Sequence, residues 1–179
     1  VFCGLGVGEH LEYWGFSPEQ IYEMDWNENR RIDNSLTIYC LPTRHFSGRW
    51  LSRNKALWAS FLIEGRYKIY LSGDGGYDRH FPDIDWAIME NGQYNADWKY
   101  IHMMPDELPN AIKKIAPRNI LTIHHSKFAL SRHAWYEPLN NIEKASRNQT
   151  YRLFTPLIGE VVPLNGATKT TDCWWEKYE

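Results

Sequence analysis

Three residues of types that commonly bind metal ions follow three apolar segments of the chain. His45 follows SLTIYCLPTR, Asp74 follows YKIYLSG, and His124 follows RNILTI and precedes a second histidine, His125. Two imidazoles and a carboxylate suit zinc and similar ions, and the two oxygens of one carboxylate can bridge two ions. In a two-metal site the ions lie about 3.5–4 Å apart and activate a water molecule as nucleophile. The shared placement at strand ends predicts one common site.

The segment from Tyr67 to Asp78 explains why Asp74 is a candidate. Side chains alternate in character from Tyr67 to Ser72, which predicts a strand. Glycines at 73, 75 and 76 then allow a sharp turn of the backbone around the aspartate. A carboxylate held by glycines at a strand end is well placed to serve a site.

The other elements that must position these residues follow from the same kind of pattern. We predict strands at 1–3, 20–26, 35–41, 56–64, 85–90 and 119–123, with 152–154 and 159–163 as a final strand or an extended arm. Helices are predicted at 9–14, around 80–84, between 105 and 117, and at 135–148. We predict a turn at 26–34, a loop bordering the site at 46–54 and a hairpin at Gly65-Arg66. This alternation predicts a mixed α/β layer structure rather than an all-parallel sheet.

Composition limits the classes of protein that the chain can belong to. Its 179 residues are enough for one domain, 43% are apolar, and no run is long enough to span a bilayer. A net charge of -2 with mixed signs argues against a nucleic-acid-binding protein. The three cysteines form no CxxC pair, so we expect neither a disulfide framework nor a thiolate zinc site, and we expect a cytoplasmic location. Nine Trp and eleven Tyr suit a cleft for an organic or lipid-like ligand, or plain core filling.

The first 25 residues suggest an alternative function. A strand, glycines at 4, 6 and 8, a short helix and a second strand ending at Asp25 imitate a dinucleotide-binding fingerprint. Glu9 stands where the third glycine of that fingerprint belongs, and the helix is short. The alternatives are therefore a dinucleotide-binding oxidoreductase or, more simply, a strand-to-helix turn.

Five ordered motifs point to a family: PTRHFSGR, NKALWASFLIEG, IYLSGDGGY, HMMPDE and LTIHHSKFAL. Together they resemble the C-terminal half of the metallo-β-lactamase fold, over residues 1–163. The resemblance is to the branch of N-acylphosphatidylethanolamine-hydrolysing phospholipase D and the ascorbate-phosphate-lactonase-like hydrolases. It implies the α/β, αββα sandwich of that family. Residues 1–179 would form a single domain, mainly the C-terminal half, with a mixed sheet and flanking helices.

The resemblance also implies roles for single residues. His45 would be the third ligand of the first metal, Asp74 would bridge both metals, and His124 would complete the second. His102, before Met-Met-Pro-Asp-Glu, matches a family histidine close to the metals that binds substrate or transfers a proton; the alternative is a helix-entry residue without chemistry. The cofactor would be zinc, as two ions in the full-length protein, with other divalent metals possible.

Three further residues near these motifs have open roles. His125 stands where the phospholipase branch commonly has Trp, and we expect it beside the site or at the surface. Arg49 and Arg53 either meet a substrate phosphate or, as we favour, are solvated loop residues.

The family's His-x-His-x-Asp-His motif does not occur in the chain, and we expect it upstream of Val1. One sheet of a two-sheet sandwich exposes an apolar face, so we expect a partner: the N-terminal half or a second copy of the chain. The implied function is hydrolysis by a metal-bound hydroxide of a phosphodiester, as in phospholipase D, or of a lactone or ester. We expect the chain alone to be inactive; the alternative is a metal-free structural or interaction fragment.

Overall fold

The structure of the chain is a computed structural model that describes residues 1–49, 52–75, 83–128, 130–167 and 173–178. The strands are β1 Phe2–Gly4, β2 Tyr22–Met24, β3 Asn29–Arg31, β4 Thr37–Leu41, β5 Gly48–Arg49, β6 Ser52–Arg53, β7 Ser60–Glu64, β8 Lys68–Leu71, β9 Trp86–Glu90, β10 Asn119–Ile123 and β11 Arg152–Phe154. The helices are α1 Gly8–Tyr13, α2 Glu107–Ile115 and α3 Glu137–Ser146, and short 3-10 turns lie at Pro18–Gln20, Ala96–Trp98 and Trp174–Tyr178.

The main sheet has seven strands in the order β11-β10-β9-β8-β7-β4-β3. The strands from β8 to β11 pair in parallel, while β8–β7, β7–β4 and β4–β3 pair antiparallel. The prediction of a mixed sheet is therefore confirmed. Two antiparallel steps separate β4 from β8, so β4 runs in the same direction as β8, β9 and β10. Their carboxyl ends consequently meet at one edge, where ligands bind in open α/β sheets.

One face of this sheet carries the helices and the core. Leu62, Tyr70, Ala87 and Ile120 lie on this face and are buried. The α2 helix covers them because its apolar residues recur at helical spacing on one side: Leu108, Ala111, Ile112 and Ile115. The helix ends at Ala116, which takes a left-handed conformation (φ 48°) directly before Pro117. Ile142 brings α3 into the same core.

The middle of the opposite face of the sheet is also apolar but only half-buried, whereas Cys40 and Phe154 at the two ends of its central row are buried. One row of directly paired residues runs across four strands through Phe61, Leu71, Ile88 and Leu121. These four side chains are all intermediate in exposure, whereas the helix-covered rows are buried. A continuous apolar row at the middle of a sheet is the surface against which a second sheet packs in a sandwich.

Residues 1–24 form a small β1–α1–β2 unit in which β1 and β2 pair in parallel. Its glycines are explained by packing. A Cβ at Gly4 would lie 2.4 Å from the Leu57 carbonyl oxygen, and one at Gly6 would lie 2.5 Å from that of Lys55. The main chain that follows β6 therefore lies against the glycine turn, which favours the strand-to-helix turn over the dinucleotide site.

Several predictions of local structure need correction. The stretch at 26–34 is not only a turn, because it contains β3; all three of its residues are exposed, so it lacks the apolar alternation that marks a strand. The loop at 46–54 contains the β5–β6 pair. Residues 159–163 form no strand, so the extended arm remains of the two alternatives predicted there. The helix predicted around 80–84 falls largely on residues outside the described ranges. Among the described residues, no helix has the length and apolar character needed to cross a membrane.

Candidate functional site

The carboxyl edge of the sheet brings together residues that lie far apart in the sequence. His45 follows β4, Asp74 follows β8, Glu90 ends β9 and His124 follows β10. His102 joins them from the loop before α2. Its ring centroid lies 5.4 Å from that of His45 and 5.1 Å from that of His124. All four residues that the sequence singled out therefore line one cavity.

The ring of His45 is oriented by its neighbour in the chain. Its Nδ1 lies 2.6 Å from the Phe46 carbonyl oxygen, which can only accept, so Nδ1 donates. The ring also stacks on that of Phe46 at 5.3 Å with an interplanar angle of 7°. Nε2 therefore bears the lone pair. It is buried without a hydrogen-bond partner among the described residues, and Oδ2 of Asp74 lies 3.5 Å away.

Asp74 is held by a turn that only small residues permit. Gly73 has a φ of 63°, which favours glycine. A Cβ at Gly75 would lie 2.4 Å from Oγ1 of Thr43, so this glycine lets the turn pack against the segment between β4 and His45. The Asp74 side chain is 58% exposed at the cavity. Its carboxylate is therefore open to an incoming ligand, while its backbone is fixed.

Glu90 is a fully buried carboxylate that contacts two of the histidines. Its Oε2 lies 2.9 Å from Nδ1 of His102 and 3.4 Å from Nδ1 of His124. The backbone N–H of Met103 donates to Oε1 in a short hydrogen bond. The Glu90 N–H donates to Oγ of Ser72, which ties the end of β9 to β8. Glu90 thus connects three elements behind the cavity.

His124 has an unusual backbone conformation that places its ring beside Glu90. Its φ is 65°, in the left-handed region, directly after β10 ends. Gly92 packs against this point so closely that a Cβ there would lie 2.6 Å from the His124 carbonyl oxygen. The hydrogen bond to Glu90 raises the pKa of His124 above its usual value, although burial acts in the opposite direction.

The residues fit a divalent metal ion. The unpaired, buried Nε2 of His45 faces a carboxylate oxygen, which is the donor pair that zinc and similar ions take. A second possible group consists of Glu90, His102 and His124, whose ligand atoms all lie within 4.8 Å of one another. The edge of the sheet can therefore hold a metal ion.

The cavity at this edge has a volume of about 580 Å³. Besides the polar residues, Phe46, Trp98, Ile101 and Leu130 line it. The buried side chain of Gln93 holds the loops that contribute this apolar wall. The side-chain Oε1 accepts from the N–H groups of Leu130 and Ser131, and Nε2 donates to the Phe128 carbonyl. The backbone carbonyl of Gln93 accepts from Trp98 Nε1.

The start of α2 is tied to the residue beside His45. Arg44 makes a two-pronged ion pair with Glu107, at 3.1 Å from Nη1 to Oε1 and 2.9 Å from Nη2 to Oε2. Burial alone would raise the pKa of Glu107, but the Arg44 hydrogen bond and the Met104 N–H lower it overall. The charged carboxylate therefore anchors the loop of His102 to the loop of His45.

The structure shows where two of the three residues with open roles lie. His125 turns away from the cavity: its Nε2 lies 3.1 Å from Oγ1 of Thr122, its Nδ1 lies 2.8 Å from Oγ of Ser126, and burial lowers its pKa. Arg53 is exposed, with its guanidinium 5.7 Å from the centre of the Phe46 ring. The side chain of Arg49 falls outside what the structure describes.

Sequence reasoning missed Glu90 and Gln93. Glu90 had the same signal as the predicted ligands, since it is a carboxylate at the end of the apolar strand DWAIME. Nothing local distinguishes a strand-end glutamate facing water from one that is buried, so its contacts with His102 and His124 needed the structure.

The main sheet is mixed, carries helices on one face, and has histidines and carboxylates at its strand ends. These features define the metallo-β-lactamase α/β class. A family model described as the beta-lactamase superfamily domain matches residues 1–125. The chain belongs to this family. This match confirms the class of fold expected from the sequence, and the fold implies a divalent metal ion, usually zinc.

Individual relatives and structures agree with this placement. An uncharacterized protein of Mycobacterium tuberculosis, Rv0906, is 36% identical over 182 residues, 96% of this chain and 48% of that protein. The mitochondrial N-acyl-phosphatidylethanolamine-hydrolyzing phospholipase D of Saccharomyces cerevisiae is 31% identical over 142 residues, 70% of this chain and 30% of that protein. The metallo hydrolase Igni18 of Ignicoccus hospitalis shares the fold, with a TM-score of 0.63 at 19% identity over 90% of this chain and 66% of its own. The chain thus spans half or less of the length of the mycobacterial and yeast relatives.

Proposed function

We propose that the chain supplies His45, Asp74, His102 and His124 to the active site of a metal-dependent hydrolase that cleaves phosphodiesters. The observation that carries this proposal is the buried Nε2 of His45. It has no hydrogen-bond partner among the described residues and lies 3.5 Å from the Asp74 carboxylate. A buried, unsatisfied nitrogen costs about 1–3 kcal/mol, which a metal ligand bond would offset.

Each residue has a separate task in this proposal. His45, Asp74 and His124 would hold the ions, with Asp74 as the bridge between two zinc ions. Bound ions of this kind act as Lewis acids and lower the pKa of water, so that a nucleophile forms at neutral pH. His102 lies between His45 and His124 with Nδ1 directed to Glu90. Its Nε2 is on the cavity side, where it would contact a substrate oxygen or transfer a proton.

A phospholipid-like phosphodiester is the substrate class that we favour. The apolar wall of Phe46, Trp98, Ile101 and Leu130 suits an acyl chain beside the polar site. The yeast relative, at 31% identity, is named for the hydrolysis of N-acyl-phosphatidylethanolamine. Lactones and simple esters are the second choice, because the same ions would polarise a carbonyl oxygen.

We further propose that the half-buried apolar face packs against a second sheet. The support is the continuous row from Phe61 to Leu121 and the greater length of the relatives. The covering sheet would come from the other half of the same sandwich, and self-association of the chain is the alternative. The remaining metal ligands would lie in that other half, so the isolated chain would be inactive.

The test uses the full-length protein with and without zinc. We expect hydrolysis of N-acyl-phosphatidylethanolamine in mixed micelles, loss of activity after chelation, and recovery when zinc is restored. Asp74→Ala should lower turnover at least a hundredfold and reduce bound zinc. Asp106→Ala is the matched control, since Asp106 is an exposed aspartate whose side chain caps no helix N–H.

Three results would count against this proposal. Near-normal turnover of Asp74→Ala would remove the bridge from the mechanism, and hydrolysis of lactones alone would replace the substrate class. Metal analysis that finds no zinc in the full-length protein would favour the structural or interaction role over the enzyme.

A further inference from the structure

We propose that Glu90 is a positioning residue that fixes His102 and His124 in the tautomer with the Nε2 lone pair towards the cavity. Its carboxylate is fully buried, and three N–H groups surround it: the backbone of Met103 and Nδ1 of both rings. Only the consequence of this inference, that Nε2 of both rings is free to bind metal or substrate, rests on the proposed function. The tautomers themselves are a property of the chain without metal.

The chemistry of a carboxylate dictates which ring nitrogen carries the proton. An ionised carboxylate only accepts hydrogen bonds, and a neutral imidazole donates from one nitrogen and accepts at the other. Since Oε2 faces Nδ1 of both rings at 2.9 and 3.4 Å, both Nδ1 atoms must donate. Nε2 of each ring is then unprotonated and available to a ligand. Ring orientation by a buried carboxylate is a recurring feature of metal-binding histidines.

Glu90 is itself held in place from two directions. Met103 occupies Oε1, so the carboxylate cannot turn that oxygen towards the rings without losing this hydrogen bond. At the backbone, Ser72 accepts from the Glu90 N–H at 2.8 Å, and the next residue, Asn91, donates to the Ile123 carbonyl at 2.9 Å. The strand end is therefore anchored to β8 on one side and to β10 on the other.

The alternative is that Glu90 binds the metal ion directly. Ligand atoms of a tetrahedral zinc ion at about 2.0–2.2 Å lie roughly 3.4 Å from one another. The separation between Oε2 of Glu90 and Nδ1 of His102, 2.9 Å, is shorter than this and has the length of a hydrogen bond. The second oxygen is also engaged by Met103. The geometry points to a hydrogen-bonding carboxylate behind the rings.

Glu90→Gln tests this with almost no change in volume. The Met103 N–H needs the amide oxygen, so the NH₂ group would face the rings and donate to Nδ1. The rings would then carry their proton on Nε2, where it blocks a ligand. We expect zinc affinity to fall roughly 10–100-fold, measured by competition with a chelating dye in the full-length protein.

The tautomers are read directly by ¹⁵N NMR of the histidine-labelled, metal-free full-length protein, at a pH where both rings are neutral. We expect Nδ1–H on His102 and His124 in the wild type, and Nε2–H on at least His102 in Glu90→Gln. Asp85→Asn is the matched control. Asp85 precedes the other end of β9 and accepts from the Lys68 N–H and from Arg118, so it should leave the tautomers and zinc affinity unchanged.

Three results would distinguish the role of Glu90 from the alternatives. Nε2–H on both rings in the wild type would overturn the proposal without any variant, even if Glu90→Gln did not fold. A zinc-bound crystal structure with a Glu90 oxygen within about 2.2 Å of the ion would make Glu90 a direct ligand instead. The expected tautomers together with no hydrolysis would leave the role of Glu90 intact and overturn the proposed function alone.

Discussion

At the scale of single residues, the site depends on which nitrogen of each histidine is already occupied. The Phe46 carbonyl binds Nδ1 of His45, and Glu90 binds Nδ1 of His102 and His124. In each ring the nitrogen left over is Nε2. The three histidines thus share one tautomer by two different means, a backbone carbonyl and a buried carboxylate.

The first prediction at this scale concerns His45. Zinc at a hundredfold excess over its Kd should stabilise the full-length protein by about 2.7 kcal/mol. For a domain of 150–250 residues that corresponds to a rise in Tm of roughly 5–10 °C, and a longer full-length protein should show a proportionally smaller rise; differential scanning fluorimetry can measure either. His45→Ala should remove most of this rise, because it deletes the nitrogen that faces Asp74.

The control for this variant is His10→Ala. His10 is an exposed histidine on α1, so its loss should leave the zinc-induced rise unchanged. A full rise in His45→Ala would show that zinc binds elsewhere, for example at the group of Glu90, His102 and His124.

At the scale of secondary structure, four strands that run in one direction build the site. The sequence predicted all four of these strands, because a short apolar run is a local signal, and it placed His45, Asp74 and His124 just after three of them. It did not predict β3, whose three residues are exposed. Pairing with β4 stabilises β3, and no local pattern reports such pairing.

The close approach of β9 to β10 beyond their last paired residues leads to a second prediction. Gly92→Ala should destabilise the protein by about 1–3 kcal/mol, the usual range for overpacking, because its Cβ would lie 2.6 Å from the His124 carbonyl oxygen. The backbone of His124 must shift in response. We therefore expect weaker zinc binding as well, measured by urea unfolding and by zinc titration.

Gly65→Ala is the comparison for this variant. Gly65 lies in the β7–β8 hairpin away from the site. Its Cβ would meet Cδ1 of Leu36, the end of a flexible side chain, at 3.2 Å and the Ser35 carbonyl oxygen at 3.3 Å, both longer than the 2.6 Å contact at Gly92. It should cost less stability and leave zinc affinity unchanged. Equal zinc affinity in the Gly92 and Gly65 variants would separate the packing of Gly92 from the site.

At the scale of the whole molecule, the two faces of the main sheet differ. One face packs against α2 and α3, and the middle of the other carries apolar residues that are only half-buried. On the second face Ile63 pairs with both Ile38 and Ile69, far from the carboxyl edge. If the proposed second sheet covers this face, these residues lie at the centre of a sandwich.

A substitution on this face provides the third prediction. Ile63→Asp should destabilise the full-length protein by roughly 3 kcal/mol or more, since it would bury an unpaired charge. Val161→Asp, at a position that is 82% exposed, should stay within about 0.5 kcal/mol of the wild type. The urea midpoints of the two variants measure the difference. Similar midpoints would indicate that the face is open to solvent and that no second sheet covers it.

The sequence by itself determined the class of fold, the mixed character of its sheet and the candidate ligands, because these depend on local alternation, glycine turns and ordered motifs. The tertiary structure alone decided how those ligands are held. Glu90, His102 and His124 are separated by 12 to 34 positions. The parallel pairing of β9 with β10 brings Glu90 and His124 together, and His102 joins them from the loop before α2. Whether a strand-end carboxylate is solvated or buried is likewise a property of what packs over it. For that reason the sequence identified the histidines but missed the glutamate behind them.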